Sequence, residues 1–285
     1  DKVLFDSENH INLSPQKRNV GYLFQQYALF PNMTVEQNIA CGNHKKKDRE
    51  KIQAMIRTMH LEGLEKKKPD QLSGGQQQRT ALARILIGEP DILMLDEPFS
   101  ALDTHLRYQM EHEVRSVIRS FGKSVLLVSH DSAEVYRLSD RIAVIKDGNI
   151  EVMGDRSEVY LNPQTVNGAI LTGYRNLSKV KMLSDGNIFA EDWGATLKTR
   201  ETDADALHAA FRTESVRLGG SENTIECTVE AIIPNAFASA YRVVPKNGNP
   251  ESGFVLDIRE KHPEITVGSV ITVSVPAEEI VLLKD

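Results

Sequence analysis

The residues best equipped for chemistry lie in two neighbouring stretches, Leu72-Ser73-Gly74-Gly75-Gln76 and Ile92-Leu93-Met94-Leu95-Asp96-Glu97-Pro98. In the first, serine is followed three positions later by glutamine, the capping-box spacing, ahead of apolar residues at helical period (Ala81, Leu82, Ile85, Leu86). Ser73 is therefore expected to cap a helix. The free N–H groups at that helix start, approached closely over Gly74 and Gly75, suit a phosphate. In the second stretch, four apolar residues read as a buried parallel strand. Two carboxylates stand at its carboxyl end, where ligands gather in open α/β sheets. Asp96 there suits a magnesium ligand, and Glu97 a base that activates water. Taken singly, each stretch has a blander reading that is the commoner one: a plain helix start, and a solvated strand end.

Together, in this order and spacing, the two stretches resemble the signature motif and the Walker B motif of ATP-binding-cassette (ABC) ATPases. Three more motifs bracket them. Gln25, after the apolar run Val20–Phe24, resembles the Q-loop glutamine of that family; Ser100-Ala101-Leu102-Asp103 resembles the D-loop; and His130, after Ser124–Ser129, resembles the switch histidine. The resemblance implies ATP and Mg2+ as cofactors and a head-to-tail homodimer with two sandwiched nucleotides. It implies Asp96 and Gln25 at the metal, Glu97 polarising the attacking water, and His130 at the γ-phosphate. Ser73, Gly74, Gly75 and Gln76 would face the nucleotide of the opposite subunit, and Asp103 would tie the two sites together. Catalysis of this kind is positioning plus charge stabilisation.

The same family carries a G-x-x-x-x-G-K-[ST] phosphate loop between a strand and a helix. No such run occurs in the 285 residues. Gly122-Lys123-Ser124 imitates its end, but Val117 fills the first-glycine position, and the run joins an expected helix to an expected strand, the reverse order. The expected fold is accordingly an α/β, P-loop NTPase-like ABC ATPase domain over residues 1–163, lacking its N-terminal strand and P-loop. The native protein is expected to extend upstream, and residues 1–285 alone to bind ATP poorly. A naturally degenerate subunit is the alternative, and the presence of Ser73, Glu97 and His130 argues against it.

Around these motifs the chain offers elements to hold them. Thr34 reads as the N-cap of a helix through Ile39. Residues Arg49 to Leu61 read as a helix with Ile52, Met55, Ile56 and Met59 at helical spacing, the methionines serving as core filler. Lysine triplets at 45–47 and 66–68 read as solvated helix ends, the second at a helix C-terminus where cations are favoured. Leu106 to Phe121 reads as a long helix, Ser124–Val128 as a strand, and Arg141–Glu151 as a hairpin turning at Asp147-Gly148. The loop Tyr27-Ala28-Leu29-Phe30-Pro31 either folds onto its own core or, by the resemblance, lies beside the groove that receives a helix of a membrane partner.

Composition bounds the alternatives. Forty acidic residues against 34 basic ones give a net charge of −6, against a general nucleic-acid binder. Two cysteines, Cys41 and Cys227, lie far apart with no CxxC spacing and read as free thiols. No apolar run approaches the roughly 18 residues that cross a bilayer. A membrane role would be served from the water side.

Residues 164–285 are expected to form a linker and a β-rich domain, and from Asn167 the texture changes to short alternating runs: Lys179–Leu183, Ile188–Glu191, Ala195–Lys198, Val216–Leu218, Thr224–Ile232, Ala240–Val244, Gly253–Arg259 and Ser269–Ser274. With turn residues between them, and one short helix expected at Asp203–Phe211, they suggest a small all-β barrel or sandwich. The lone Trp193 reads as core rather than as part of a site. Thr172–Ser178 and Ala190–Gly194 resemble the corresponding segment of molybdate-importer ATPase subunits, and Thr224 to the end resembles the oligomer-fold (TOBE/Mop-like) regulatory module of importer ATPases. The resemblance thus implies the energising subunit of an importer for an oxyanion such as molybdate. Sulfate, ferric iron, polyamine or sugar import, and a non-hydrolysing anion-sensing regulator, are the alternatives. Its expected partners are transmembrane permease subunits at the cytoplasmic face of the membrane and, indirectly, a substrate-binding protein, with no nucleic acid.

Overall fold

A computed structural model describes residues 3–43, 48–100, 104–234, 239–258 and 262–285. The chain divides into two compact units, Asp1–Leu138 and Ser139–Asp285. The hairpin and helix between residues 141 and 161 fall within the second unit.

The first unit opens with a small antiparallel ladder, β1 (Phe5–Asp6) with β2 (Ile11–Asn12), then a single helical turn, α1 (Pro15–Arg18). Its frame is a parallel sheet of β3 (Val20–Leu23), β4 (Ile92–Asp96) and β5 (Ser124–Val128), in that order. The register sets Leu23 beside Leu95 and Asp96 beside Val128, so the three strands end along one edge. The sheet is accompanied by α2 (Val35–Gly42), α3 (Arg49–Thr58), α4 (Gly74–Leu86), α5 (Thr104–Phe121) and the short α6 (Ser132–Leu138).

Local chemistry fixes these helix starts as the sequence implies. Thr34 and Gln37 form a reciprocal capping box, Ser73 and Gln76 another, and the Asp48 side chain accepts from the N–H groups of Glu50 and Lys51. Close packing needs two glycines. A Cβ on Gly21 would lie 2.4 Å from Ile85 Cγ2, and one on Gly42 would lie 1.7 Å from the Arg84 carbonyl oxygen. The missing side chains let Ile85 of α4 seat on β3 and the α4 backbone at Arg84 lie against α2. The core behind them gathers Leu23, Ile39, Ile56, Leu82, Leu93, Leu95, Phe99 and Met110.

Two expectations for this unit change. Helix α3 ends at Thr58, not Leu61, because His60 takes a positive φ of 50° that no continuing helix can hold. Lys66–Lys68 therefore lie in the following loop, away from any helix C-terminus. Strand β4 buries only Leu93 and Leu95 fully. On the other face of the sheet Tyr22, Leu126 and Val128 are exposed and Met94 is half-buried.

In the second unit β6 (Arg141–Lys146) and β7 (Asn149–Asp155) form the expected hairpin, followed by α7 (Arg156–Leu161) and α8 (Val166–Leu171). Asp147 and Gly148 both take positive φ, 50° and 79°, as a type I′ turn demands. One antiparallel sheet follows the order β10 (Ala195–Leu197), β9 (Ile188–Ala190), β8 (Asn176–Met182), β11 (His208–Phe211) and β17 (Val281–Leu283). A second runs β12 (Arg217–Leu218), β16 (Val270–Ser274), β13 (Thr224–Pro234), β14 (Ser239–Pro245) and β15 (Phe254–Ile258).

One core serves both sheets, centred on Trp193, whose ring centroid lies 4.6 Å from Phe211 and 5.9 Å from Phe254. The helix expected at Asp203–Phe211 does not form. Residues 203–206 make a turn closed by the Ala206 N–H on the Asp203 carbonyl, and His208–Phe211 is β11, paired on both sides. Ala209, Ala210 and Phe211 are all buried, and a continuous apolar run that short carries no periodicity to separate strand from helix.

Candidate functional site

The parallel sheet delivers the site. Because Leu23, Leu95 and Leu127 share one register, the residues just beyond them come to a common edge: Gln25 after β3, Asp96 and Glu97 after β4, His130 after β5. Glu97 sits at φ +46°, a conformation that costs a non-glycine residue on the order of 1 kcal/mol or more. Its backbone is pinned on both sides. Its N–H donates to the Val128 carbonyl at 2.9 Å, and its carbonyl accepts from the Ser100 N–H at 3.3 Å and hydroxyl at 3.0 Å. The strain aims the side chain across to β5.

There the Glu97 carboxylate meets His130. The ring Nδ1 lies 2.7 Å from Oε1, and the His130 backbone N–H donates to the same oxygen at 3.1 Å. Hydrogen bonding and then charge attraction from Glu97 raise the His130 pKa, with smaller contributions from Asp131 and Glu134. The imidazole is 77% exposed and the glutamate side chain 22%, so the histidine stands outermost, facing whatever approaches the sheet edge.

Asp96, one residue earlier, points elsewhere. Its Oδ2 accepts from the Tyr22 hydroxyl at 2.8 Å, which raises the tyrosine pKa. No group among the described residues hydrogen-bonds to Oδ1. A carboxylate at a strand end is the hard oxygen donor that Mg2+ takes, with waters filling most of its shell, so the chemistry of Asp96 fits that ion. Gln25 is exposed on the turn that follows β3. That turn is held by Arg84, which donates to the carbonyls of Tyr27 at 3.1 Å and Ala28 at 2.7 Å and lies 5.3 Å over the Phe30 ring. The apolar loop thereby splits between its two expected fates: Tyr27 is buried, whereas Phe30 is exposed.

Ser73, Gly74, Gly75 and Gln76 form the start of α4 as expected. The Ser73 hydroxyl accepts from the Gln76 N–H at 3.4 Å, and Gln76 Oε1 accepts from the Ser73 N–H at 3.0 Å. Ser73 is exposed, while the Gln76 side chain is committed to the box. No contact described here joins this group to Glu97 or His130. Asp103 lies outside the described residues.

Sequence reasoning missed three parts of the site. Tyr22 reaches Asp96 only because parallel pairing sets Tyr22 beside Met94, two residues short of it. Arg107 pairs with Asp131 at 3.2 Å, and Arg137 grips Glu111 through two bonds of 2.7 and 2.8 Å. Glu134, 3% exposed, sits among them with Oε1 lacking any hydrogen-bond partner. The only local sign of it is an acid in the first turn of an amphipathic helix, which is ordinarily solvated.

With this geometry in hand, similarity to known proteins is informative. Residues 1–100 match the ABC transporter family. The chain is 36% identical, over 239 residues, to the spermidine/putrescine import ATP-binding protein of Acetivibrio thermocellus, covering 81% of this chain and 68% of that one. It is 34% identical to the protein of the same name from Pseudomonas fluorescens, covering 94% and 77%. It is 41% identical to the Fe(3+) ions import ATP-binding protein of Fusobacterium nucleatum, covering 61% and 48%. The chain thus spans from about half to about three quarters of the curated relatives it matches. It belongs to the ATP-binding subunits of ABC transporters, of the importer type, a family of ATPases whose hydrolysis is coupled to transport. Among the described residues, no helix is long and apolar enough to cross a membrane.

Proposed function

We propose that this chain is the ATP-hydrolysing subunit of an importer for a small charged cargo of the polyamine or ferric-iron kind. The observation that carries the reading is the Glu97–His130 pair at the carboxyl edge of the parallel sheet, with Asp96 beside it. Glu97, fixed by its own strained backbone, is placed to take a proton from water. His130 steadies that carboxylate and offers its exposed ring edge to an incoming phosphate. Asp96 and Gln25 would hold Mg2+, which would supply neutralisation of phosphate charge. Ser73, Gly74, Gly75 and Gln76 present the N-terminus of α4, a dipole end suited to anions, to the nucleotide of a second copy of the chain. Asp103 links the two sites.

In this reading residues 1–163 are the ATPase domain, and residues 164–285 a linker and TOBE-like regulatory module. The protein acts as a homodimer against permease subunits on the cytoplasmic face of the membrane, fed indirectly by a substrate-binding protein. Polyamine or ferric iron as cargo draws on the names of the relatives; molybdate draws on the resemblance at residues 172–178 and 190–194 and is the second reading.

The test is transport in proteoliposomes containing the full-length protein and its permease, with labelled spermidine, ferric iron and molybdate offered separately. Uptake of one cargo that requires ATP and is abolished by Glu97→Gln supports the assignment. ATP-independent uptake, or full uptake by Glu97→Gln, refutes it.

A further inference from the structure

The two acids that end β4 are held by different kinds of donor. Glu97 meets a histidine, which can carry charge, with Nδ1 at 2.7 Å from its Oε1. Asp96 meets the neutral Tyr22 hydroxyl, which donates to Oδ2 at 2.8 Å. Among the described residues no lysine, arginine or histidine forms an ion pair with Asp96.

Strand register builds the Tyr22 contact. Tyr22 on β3 pairs with Met94 on β4, and Asp96 lies two residues farther along β4, hence on the same face of the sheet. Two residues of strand advance about 6.6 Å. An aromatic side chain bridges such a diagonal step. The Tyr22 ring also packs on Phe24, with centroids 4.5 Å apart and planes at 49°. The ring therefore leans toward the carboxyl edge of the sheet, where both Phe24 and Asp96 lie.

We propose that Tyr22 is a positioning residue for Asp96, turning the carboxylate so that Oδ1 is presented to the metal ion. This rests on the assignment of Asp96 to Mg2+. An aspartate at a strand end otherwise samples several rotamers, and fixing it on binding costs entropy. The phenol removes that freedom beforehand. Being neutral, it leaves the carboxylate charge for the cation, which a lysine or arginine in its place would offset. Glu97 is drawn toward β5 by His130 and so does not compete for the Tyr22 hydroxyl.

The experiment uses the full-length protein with Tyr22→Phe, which keeps the ring on Phe24 and removes only the donor. Mn2+ affinity is read by electron paramagnetic resonance with a non-hydrolysable ATP analogue bound, and the Mg2+ requirement is read from ATP hydrolysis. Removing the partner of a ligating carboxylate is expected to weaken Mn2+ binding about tenfold and to raise the half-saturating Mg2+ concentration by a similar factor. The change in kcat at saturating Mg2+ is expected to be smaller. Tyr22→Met, also without a hydroxyl, is expected to show the same loss and serves if Tyr22→Phe does not fold. Adding Tyr22→Phe to Asp96→Asn is expected to cost nothing further, because the hydroxyl acts through that carboxylate. Unchanged or tighter Mn2+ binding in Tyr22→Phe, a fall in kcat with the Mg2+ requirement unmoved, or losses that simply add in the double variant overturns the proposal. If Asp96→Asn binds Mn2+ as the wild type does, the metal assignment itself fails, and the role of Tyr22 fails with it.

Discussion

His130 engages a single oxygen of Glu97 twice, with its ring Nδ1 at 2.7 Å and its own backbone N–H at 3.1 Å. The two bonds tie the end of β5 to the end of β4 at the point where Glu97 takes a left-handed backbone conformation. A carboxylate held this way has little freedom to reorganise when a reaction begins. That is the property asked of a residue whose task is orientation and charge stabilisation.

The same bonds predict the behaviour of the histidine. Glu97 raises the His130 pKa, so the charged pair stabilises the fold fully below about 6.5, the ordinary histidine value, and that contribution disappears as pH rises through the elevated one. In Glu97→Gln the His130 ring is expected to titrate lower than in the wild type, nearer the ordinary value. NMR titration of the ring checks this, and an unchanged midpoint would show that the pair does not form in solution.

Glu134 makes the opposite kind of prediction, for the stability of the whole fold. Its folded pKa of about 7 exceeds the ordinary 4.5, so ionisation is resisted by folding. The wild type is fully favoured below 4.5 and loses stability between 4.5 and about 7, with no further loss from this group above that. Glu134→Gln is expected to be more stable than the wild type at pH 8, by roughly 3 kcal/mol at most, and to lose the advantage toward pH 4.5. Urea denaturation at the two pH values measures it.

Ser73→Ala removes the hydroxyl half of the α4 capping box. The expected loss is about 1 kcal/mol of stability, read by chemical denaturation. If Ser73 also faces the phosphate of a second copy's nucleotide, hydrolysis by the full-length dimer falls far more than that loss of folding explains.

Trp193 lies against Phe211 and Phe254 at 1% exposure, and it is the only tryptophan in the chain. Its fluorescence is therefore expected to be that of a dry, rigid indole and to report unfolding of the second unit alone. Trp193→Ala is expected to cost roughly 3–5 kcal/mol there. The circular dichroism of the first unit's helices should be retained.

A chain of residues 1–285 holds no G-x-x-x-x-G-K-[ST] run to cradle phosphates. Calorimetric titration with a non-hydrolysable ATP analogue is expected to give binding weaker than micromolar. Micromolar affinity would mean that some other group of this chain supplies the phosphate cradle.

The sequence by itself determined the parts whose physics is local. A serine and a glutamine three residues apart suffice to start α4, an Asp-Gly pair suffices to turn β6 into β7, and a run of apolar residues ending in Asp96-Glu97 suffices to place two acids at a strand end. Periodicity was also enough to bury Ile52 and Ile56 on α3 and Leu82 on α4. What it could not reach was anything fixed by partners distant in the chain. Whether His208–Phe211 is helix or strand was decided by β8 and β17, which offer it hydrogen bonds on both sides. Tyr22 meets Asp96 only through strand register. Glu134 looks like any solvated acid at a helix start until folding buries it among three other carboxylates whose cations are already taken. Backbone capping and turn chemistry act over a few residues and leave a mark in the sequence; desolvation and charge balance depend on who else arrives, and only the tertiary structure assembles that company.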